Sequence, residues 1–348
     1  MALDHLTFAS LPPRLEDEAA LEELLSRPTE ALAHDLRGLD GDISVLGVGG
    51  KIGPTLARMA KRAAPEKRVF GVARFSDPEV RAKLDGWGVE TIPCDLLDRE
   101  AVERLPKVAN VVYMAGRKFG TADDEPFTWA MNAYVPSIVA QAFAQSRIVV
   151  FSTLCVYPYA PFATEGWDER VPPDPAGAYA NSCVARERLF QFFSERNETP
   201  MRLMRLNYAI ETRYGVLVDV ANWVRNGDPI PLAMARANVI WQGEASAQML
   251  RALGHCTTPA TPLNIGGTHA YSIRTLAGMF GERFGKRPAF EGEETSSGWV
   301  NSTEAAQRLF GPPIVPVSFM VDWVADWLQR DMPQLGKPTR YEVRDGRF

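Results

Sequence analysis

Histidine and cysteine are equally scarce in this chain. The four His are scattered, and the four cysteines (Cys94, Cys155, Cys183 and Cys256) show no metal-ligand spacing, so no metal site is expected. That cysteine usage fits a reducing cytoplasm. No run reaches the 18 or more apolar residues of a membrane span; "RIVVFSTLCVYPYAPF" is broken by polar residues and prolines. The opening "MALDHLTFASLPPRLEDEAA" has no basic stretch followed by an apolar one, so no secretory leader is expected. Lys/Arg-rich tracts are absent and the net charge of -5 is spread along the chain, so neither nucleic acid nor an anionic membrane is an expected partner.

What is present is a globular composition, 46% apolar and 23% charged over 348 residues, enough for one large domain or two closely packed ones. Residues 15–39 are rich in Glu, Leu and Ala in a helical pattern, with acids in the first turn. They precede the first strand, so residues 1–40 read as a helical extension expected to pack on the main body. From residue 42 strand-like and helix-like segments alternate. "DISVLG" (42–47), "RVFGVA" (68–73), "GVETIP", "NVVYMAG" (110–116), "RIVVFST" (147–153) and "MRLMRLN" (201–207) are the strands. "PFTWAMNAYVPSIVAQAFAQ" reads as one long helix. Such alternation predicts an α/β fold, a doubly wound parallel sheet with helices on both faces. The shorter elements from 211 to 348, including "PLNIGG" (262–267), predict a smaller substrate lobe interleaved with a main domain over 41–210.

The first strand runs into "VLGVGGKIGPTLA", where Gly47, Gly50 and Gly53 recur every three residues and the last opens a helix. The first glycine allows a tight turn, the second a close approach of a pyrophosphate, and the third close helix–strand packing. The helix N-terminus then presents unpaired N–H groups to the phosphates. Lys51 and Ile52, within the loop, are counted with the cofactor contacts. The second strand ends in "GVARFS", with no acid to hold ribose hydroxyls, and the Arg74 guanidinium suits a 2′-phosphate. The expected cofactor is NADP or NAD, with NADP favoured.

Over residues 42–330 these motifs resemble the extended short-chain dehydrogenase/reductase family of NAD(P)-dependent sugar epimerases, dehydratases and reductases. "GVGGKIG" is similar to its G-x-x-G-x-x-G. "PCDLLD" resembles its acidic stop after strand three, which implies Asp95 and Leu96 near the adenine. "YMAG" resembles its cofactor-lining turn and implies Ala115 and Gly116. "MNAYVPSIVAQA" resembles its Asn-led helix. "FSTLCVY" (151–157) resembles its Ser/Thr-x-x-Val-Tyr strand and implies Thr153 as the catalytic hydroxyl. "AYANSCVARERL" resembles its tyrosine helix and implies Tyr179 as the proton-transfer group, lying also against the cofactor. Asn207 and Tyr208 after strand six, with Arg236 and Trp241 in "MARANVIWQGEAS", are the implied substrate contacts. A homodimer through the long helices is an expectation of the same kind.

One position departs from the pattern. Lysine is expected four residues after Tyr179, where this chain has Cys183. An unperturbed phenol titrates near pH 10, and a nearby cation lowers an acid's pKa by about 1–3. A neutral thiol has no charge to offer, and a thiolate would oppose phenolate formation. Three readings follow. Another cation stands in, with Lys118 in "MAGRKFG" preferred over Arg117 and over Arg186, which lies about 10 Å further along the helix. Alternatively Tyr179 acts only as a proton donor, in the reduction direction. Or the site is silent. The expected function is an NAD(P)-dependent oxidoreductase or epimerase acting on a hydroxyl or keto group of a sugar, sugar acid or nucleotide sugar; the alternative is a catalytically impaired NAD(P)-binding regulator or scaffold.

Overall fold

A computed structural model describes residues 4–118, 120, 124–337 and 339–346. Its centre is a sheet of seven strands: β1 (Ile43–Leu46), β2 (Val69–Ala73), β3 (Glu90–Pro93), β4 (Asn110–Tyr113), β5 (Arg147–Thr153), β6 (Met201–Leu206) and β7 (Thr261–Ile265). β1, β4 and nearly all of β5 are buried along their length, as expected of strands covered on both faces. The order across the sheet is β7-β6-β5-β4-β1-β2-β3, and every pairing is parallel. The chain winds outward from β1 to β3, then restarts at β4 on the other side of β1. That reversal opens a crevice beyond the carboxyl ends of β1 and β4, where ligands bind in doubly wound sheets. The expected architecture is therefore the one observed.

β7 comes from beyond residue 211 and pairs with β6 at the edge of the sheet. Tyr208–Ile210, Arg236–Trp241 and Ala270–Ser272 form a separate three-stranded sheet. Helices Val216–Asn226, Ile273–Phe284 and Val317–Gln329 also lie beyond residue 211.

The N-terminal segment forms two helices, Glu18–Leu25 and Glu30–Gly38, separated by Pro28 and capped by Asp17 and Thr29. Leu21, Leu24 and Leu25 share one apolar cluster with Trp241, Trp323 and Trp327. The Trp323 indole donates to the Pro12 carbonyl at 2.9 Å, and Arg62 binds the Glu23 carboxylate at 2.7 Å. This segment is packed into the body over its helical length.

The long helix expected from 126 to 145 is interrupted. It runs as Glu125–Trp129, a π-helical turn Ala130–Tyr134, and Val135–Ala142. Such a turn marks functional sites more often than chance, and here it turns Asn132 inward. Among the described residues no helix is long and apolar enough to cross a membrane.

Candidate active site

The glycine loop leaves β1 and enters the helix Gly53–Ala63, with Pro54 in its first turn. Gly47 has φ +89°, and a Cβ there would lie 2.6 Å from the Ala115 amide nitrogen. A Cβ on Gly53 would collide with the Val48 carbonyl oxygen. Both are closed to any side chain. Gly50 differs, since a Cβ there would meet nothing nearer than the Gly47 oxygen at 3.8 Å. Its freedom is toward the open crevice, so the middle glycine keeps space for something outside the chain.

Two adjoining cavities fill that crevice. The first, about 230 Å³, is lined by Gly47, Gly50, Arg74, Asp95, Leu96, Ala115 and Gly116. Arg74 is exposed beside Ala73 at the end of β2. Asp77, absent from the sequence expectations, lines the same wall, and its carboxylate caps the helix Pro78–Gly86 by accepting from Glu79 N at 2.9 Å. Asp95 accepts from the Leu97 amide at 3.0 Å. The second cavity, about 310 Å³, takes in Lys51, Ile52, Lys118, Thr153, Tyr179, Asn207 and Tyr208. Gly47, Gly50, Met114 and Gly116 line both cavities. Together they form one trough from the tip of β2 to the tyrosine helix.

Thr153 is the last residue of β5, and its hydroxyl accepts from the Cys155 amide at 3.2 Å. Beneath it lies a buried ion pair: Arg205 Nη2 to Glu187 at 2.7 Å, with Ser152 Oγ donating to the same carboxylate at 2.5 Å. Because the pair is dry on both sides, losing one partner would strand a charge. It fixes the end of β5 against the helix Gly177–Asn197, and thereby Thr153 against Tyr179.

Tyr179 lies in the first turn of that helix, after Pro175 and a left-handed Gly177 at φ +79°. Burial pushes its phenol well above the ordinary tyrosine range; the Cys183 and Cys155 thiols add to this, and the Arg186 guanidinium opposes it. A side-chain hydrogen bond joins Tyr179 to Cys183. Burial likewise pushes the Cys183 and Cys155 thiols up. Both are neutral thiols at neutral pH.

Arg186 is a cation whose field opposes the rise of the phenol's pKa, although it lies seven residues further along the helix. Seven residues is two turns, so positions 179 and 186 share a face, and helical side chains lean toward the N-terminus. The long Arg186 side chain therefore lies back beneath the site. It donates to the Phe151 carbonyl at 2.8 Å and to Asn132 Oδ1 at 2.7 Å. Only a glycine at 116 leaves it room. Asn132, on the π-turn, also accepts from Arg117 N at 2.8 Å and donates to Arg117 O and Ser182 Oγ, both at 2.9 Å. Its amide is saturated, and Ser182 passes the link to the Tyr179 carbonyl at 2.7 Å.

Lys118 lines the cavity with Tyr179; burial pushes its ammonium pKa down, opposed by the Cys155 and Cys183 thiols and the Asp219 and Glu342 carboxylates. Lys51 packs its ammonium 3.2 Å from the centre of the Tyr214 ring. Burial, then Lys118, then Lys337 bring the Lys51 amine down to about 7.

Asn207 holds Asn301 at 2.6 Å and, with Tyr208, opens onto the second cavity. Arg236 and Trp241 line neither cavity. Trp241 is fully buried in an edge-on pair with Trp323 at 5.0 Å, a core aromatic whose place is set by packing rather than by a ligand. Arg236 donates to the Phe162 carbonyl at 3.3 Å and lies over that ring. The sequence reading missed Asn132, Tyr214, Gln242 and Thr339. The Asn-led helix was the available signal for Asn132; Thr339 returns from the far end of the chain, which no local pattern reveals.

No protein-family model matches the chain, and no curated protein matches it in sequence. Solved structures do match in fold. The chain is similar to UDP-glucose 4-epimerase from Thermus thermophilus, solved with NAD, at 19% identity and TM-score 0.67 over 83% of this chain and 99% of that one. It is similar to UDP-glucuronic acid 4-epimerase from Bacillus cereus, solved with UDP-glucuronic acid and NAD, at 17% identity and TM-score 0.69, with the same 83% and 99% covered. An epimerase from Methanothermobacter thermautotrophicus matches at 16% identity and TM-score 0.69 over 87% of this chain and 96% of that one.

Proposed function

We propose that the chain is a nicotinamide-dinucleotide-dependent oxidoreductase or epimerase acting on a hydroxyl or keto group of a carbohydrate. The observation that carries this is one trough in which a glycine loop with an open middle glycine runs directly into Thr153 and Tyr179. The fold neighbours named above add support, since two of them were solved with NAD. The residues suit the dinucleotide. Gly47, Gly50 and Gly53 with the following helix amides would hold the diphosphate, Asp95 and Leu96 the adenine side, and Ala115, Gly116 and Tyr179 the nicotinamide side. Arg74 favours the 2′-phosphate of NADP, whereas two of the neighbours were solved with NAD; comparing the two dissociation constants decides the point. When bound, the nicotinamide would supply hydride transfer.

This chain's own residues handle the proton. Thr153 Oγ1 holds the reacting oxygen. Tyr179, kept protonated by burial and its thiol neighbours, gives its proton to that oxygen as a carbonyl is reduced. Arg186, charged and fixed by Asn132 and Phe151, limits the rise of the phenol's pKa from below. The reductive direction is therefore the favoured one.

The same raised phenol favours a second reading, a regulator that binds the dinucleotide without turnover. Tyr179→Phe separates the two. An enzyme loses its change in reduced-nicotinamide absorbance with a carbonyl sugar, or its interconversion of sugar epimers, and keeps cofactor affinity. A regulator shows no turnover before or after.

A further inference from the structure

Beyond the helix Val317–Gln329 the described residues form no further helix or strand, yet residues 339–346 are tied down at several points. The Thr339 amide and hydroxyl both donate to the Asp219 carboxylate, at 2.9 and 2.5 Å, and the same hydroxyl accepts from the Tyr341 amide at 3.2 Å. Tyr341 is buried, its ring edge-on to Tyr208 at 6.4 Å and tilted against Trp223 at 6.0 Å. Arg344 donates to the Ala233 carbonyl at 3.0 Å and the Ser297 carbonyl at 2.6 Å, and its guanidinium lies 4.0 Å from the centre of the Tyr159 ring. The Tyr159 hydroxyl donates back to the Arg344 carbonyl. Ordering backbone outside helices and strands costs entropy, which contacts of this kind offset.

These contacts border the second cavity. Thr339 lines it together with Thr153, Cys155, Tyr179 and Tyr208. Cys155 and Tyr341 belong to one apolar cluster, and Tyr159, Tyr179 and Tyr208 pack against it. At its other end the segment meets the start of the tyrosine helix, where Ala176 supplies no side-chain cap. Gly346 and Gly177 are both left-handed, at φ +74° and +79°. A Cβ on Gly346 would lie 2.3 Å from the Ala176 carbonyl oxygen, and one on Gly177 would lie 2.7 Å from the Gly346 carbonyl oxygen. The two backbones therefore touch beside the turn that carries Tyr179, and a single added methyl would part them.

The segment thus runs from the cavity wall at Thr339 to the turn that carries Tyr179. The Thr339 hydroxyl, spent on Asp219 and Tyr341, makes this residue a boundary of the cavity rather than a group that binds a ligand. With that boundary in place the cavity is about 310 Å³, at the small end of ligand sites, which run to about 1,000 Å³. We propose that residues 339–346 are the specificity-determining wall of the substrate end: docked, they admit a compact substrate to Thr153 and Tyr179 and exclude one that carries a bulky group past Thr339. This rests on the second cavity being the substrate end of the proposed enzyme.

Cys155 is a native reporter, 5% exposed on the cavity wall. The bulky probe is fluorescein maleimide, with labelling of each cysteine followed by peptide mass spectrometry in the native chain, Gly346→Ala, Arg344→Ala and Gly336→Ala. Gly346→Ala adds the methyl that strikes Ala176, and Arg344→Ala removes a pin without adding bulk. Gly336→Ala is the control: its φ of +61° carries similar backbone strain, but a Cβ there meets nothing within 4 Å. Expected is Cys155 labelling about tenfold or more faster in Gly346→Ala and Arg344→Ala, as a locally opened segment gives. Cys94 and Cys256, and all sites in Gly336→Ala, should stay within about twofold of the native chain. NADH and NADPH affinities, titrated in parallel, should stay within about threefold. Unchanged Cys155 labelling in Gly346→Ala and Arg344→Ala overturns the proposal. So does an equal rise at Cys94 and Cys256, which is general loosening, or an equal rise in Gly336→Ala. Failure of either coenzyme to bind the native chain is a separate result: it sinks the enzyme reading, and with it the substrate role of the wall, whatever Cys155 shows.

Discussion

Tyr179 is hydrogen-bonded to Cys183, one helical turn further along and fully buried. The thiol adds to the rise that burial imposes on the phenol's pKa. Arg186, about one turn beyond Cys183 and anchored to Asn132 and the Phe151 carbonyl, opposes the rise of the phenol's pKa.

Cys183→Ala should leave turnover within about tenfold of the native rate and cost about 1 kcal/mol of stability, the scale of a small buried group. Burial keeps this thiol high and unreactive. Steady-state rates and the rate of alkylation by iodoacetamide check this. A lost activity, or rapid alkylation of Cys183, would mean a nucleophile instead.

Arg186→Met should destabilise the fold by about 3 kcal/mol, since two hydrogen bonds from a charged donor are lost and Asn132 and the Phe151 carbonyl are left short of partners. The phenol, relieved of the opposing charge, should titrate higher still. Urea unfolding measures the first effect. A basic limb of the oxidative pH–rate profile displaced to higher pH reports the second.

The glycines make a three-way comparison. Gly47→Ala and Gly53→Ala should each cost about 3 kcal/mol or more, because both added methyls strike backbone. Gly50→Ala should cost under about 1 kcal/mol while weakening dinucleotide binding about tenfold or more. Thermal unfolding with and without cofactor separates the two behaviours.

Lys51 gives a pH signature. Its folded pKa, about 7, is below the ordinary 10.5, so between those values the unfolded chain holds a proton that the folded chain has shed. Stability contributed by this group therefore rises as pH rises from about 7 toward 10.5, and the cost of burying the charge is fully felt below that window. Urea midpoints at both ends should show a smaller pH slope in Lys51→Met than in the native chain.

The strands were legible because a parallel sheet buries both faces: "RIVVFST" and "NVVY" are apolar runs bounded by polar punctuation, and they became β5 and β4. The glycine loop was legible because its backbone demands are local. What sequence could not disclose depends on distant partners. The π-turn around Asn132 follows from the demands of Arg117, Arg186 and Ser182. The reach of Arg186 depends on side-chain direction, which counting residues along the helix axis ignores. Trp241 suits a sugar face and a core equally well as a residue type; Trp323, more than eighty residues later, decides for the core.

A dinucleotide lying in the trough is the first requirement of the proposed function. The most direct measurement is equilibrium titration of the purified protein with NADH and NADPH, followed by nicotinamide fluorescence, for the native chain and Gly50→Ala. Expected is saturable binding with a dissociation constant in the micromolar range for at least one of the two, weakened about tenfold or more by the substitution. No association of either coenzyme at about millimolar concentration, or equal affinity for the variant, would contradict it.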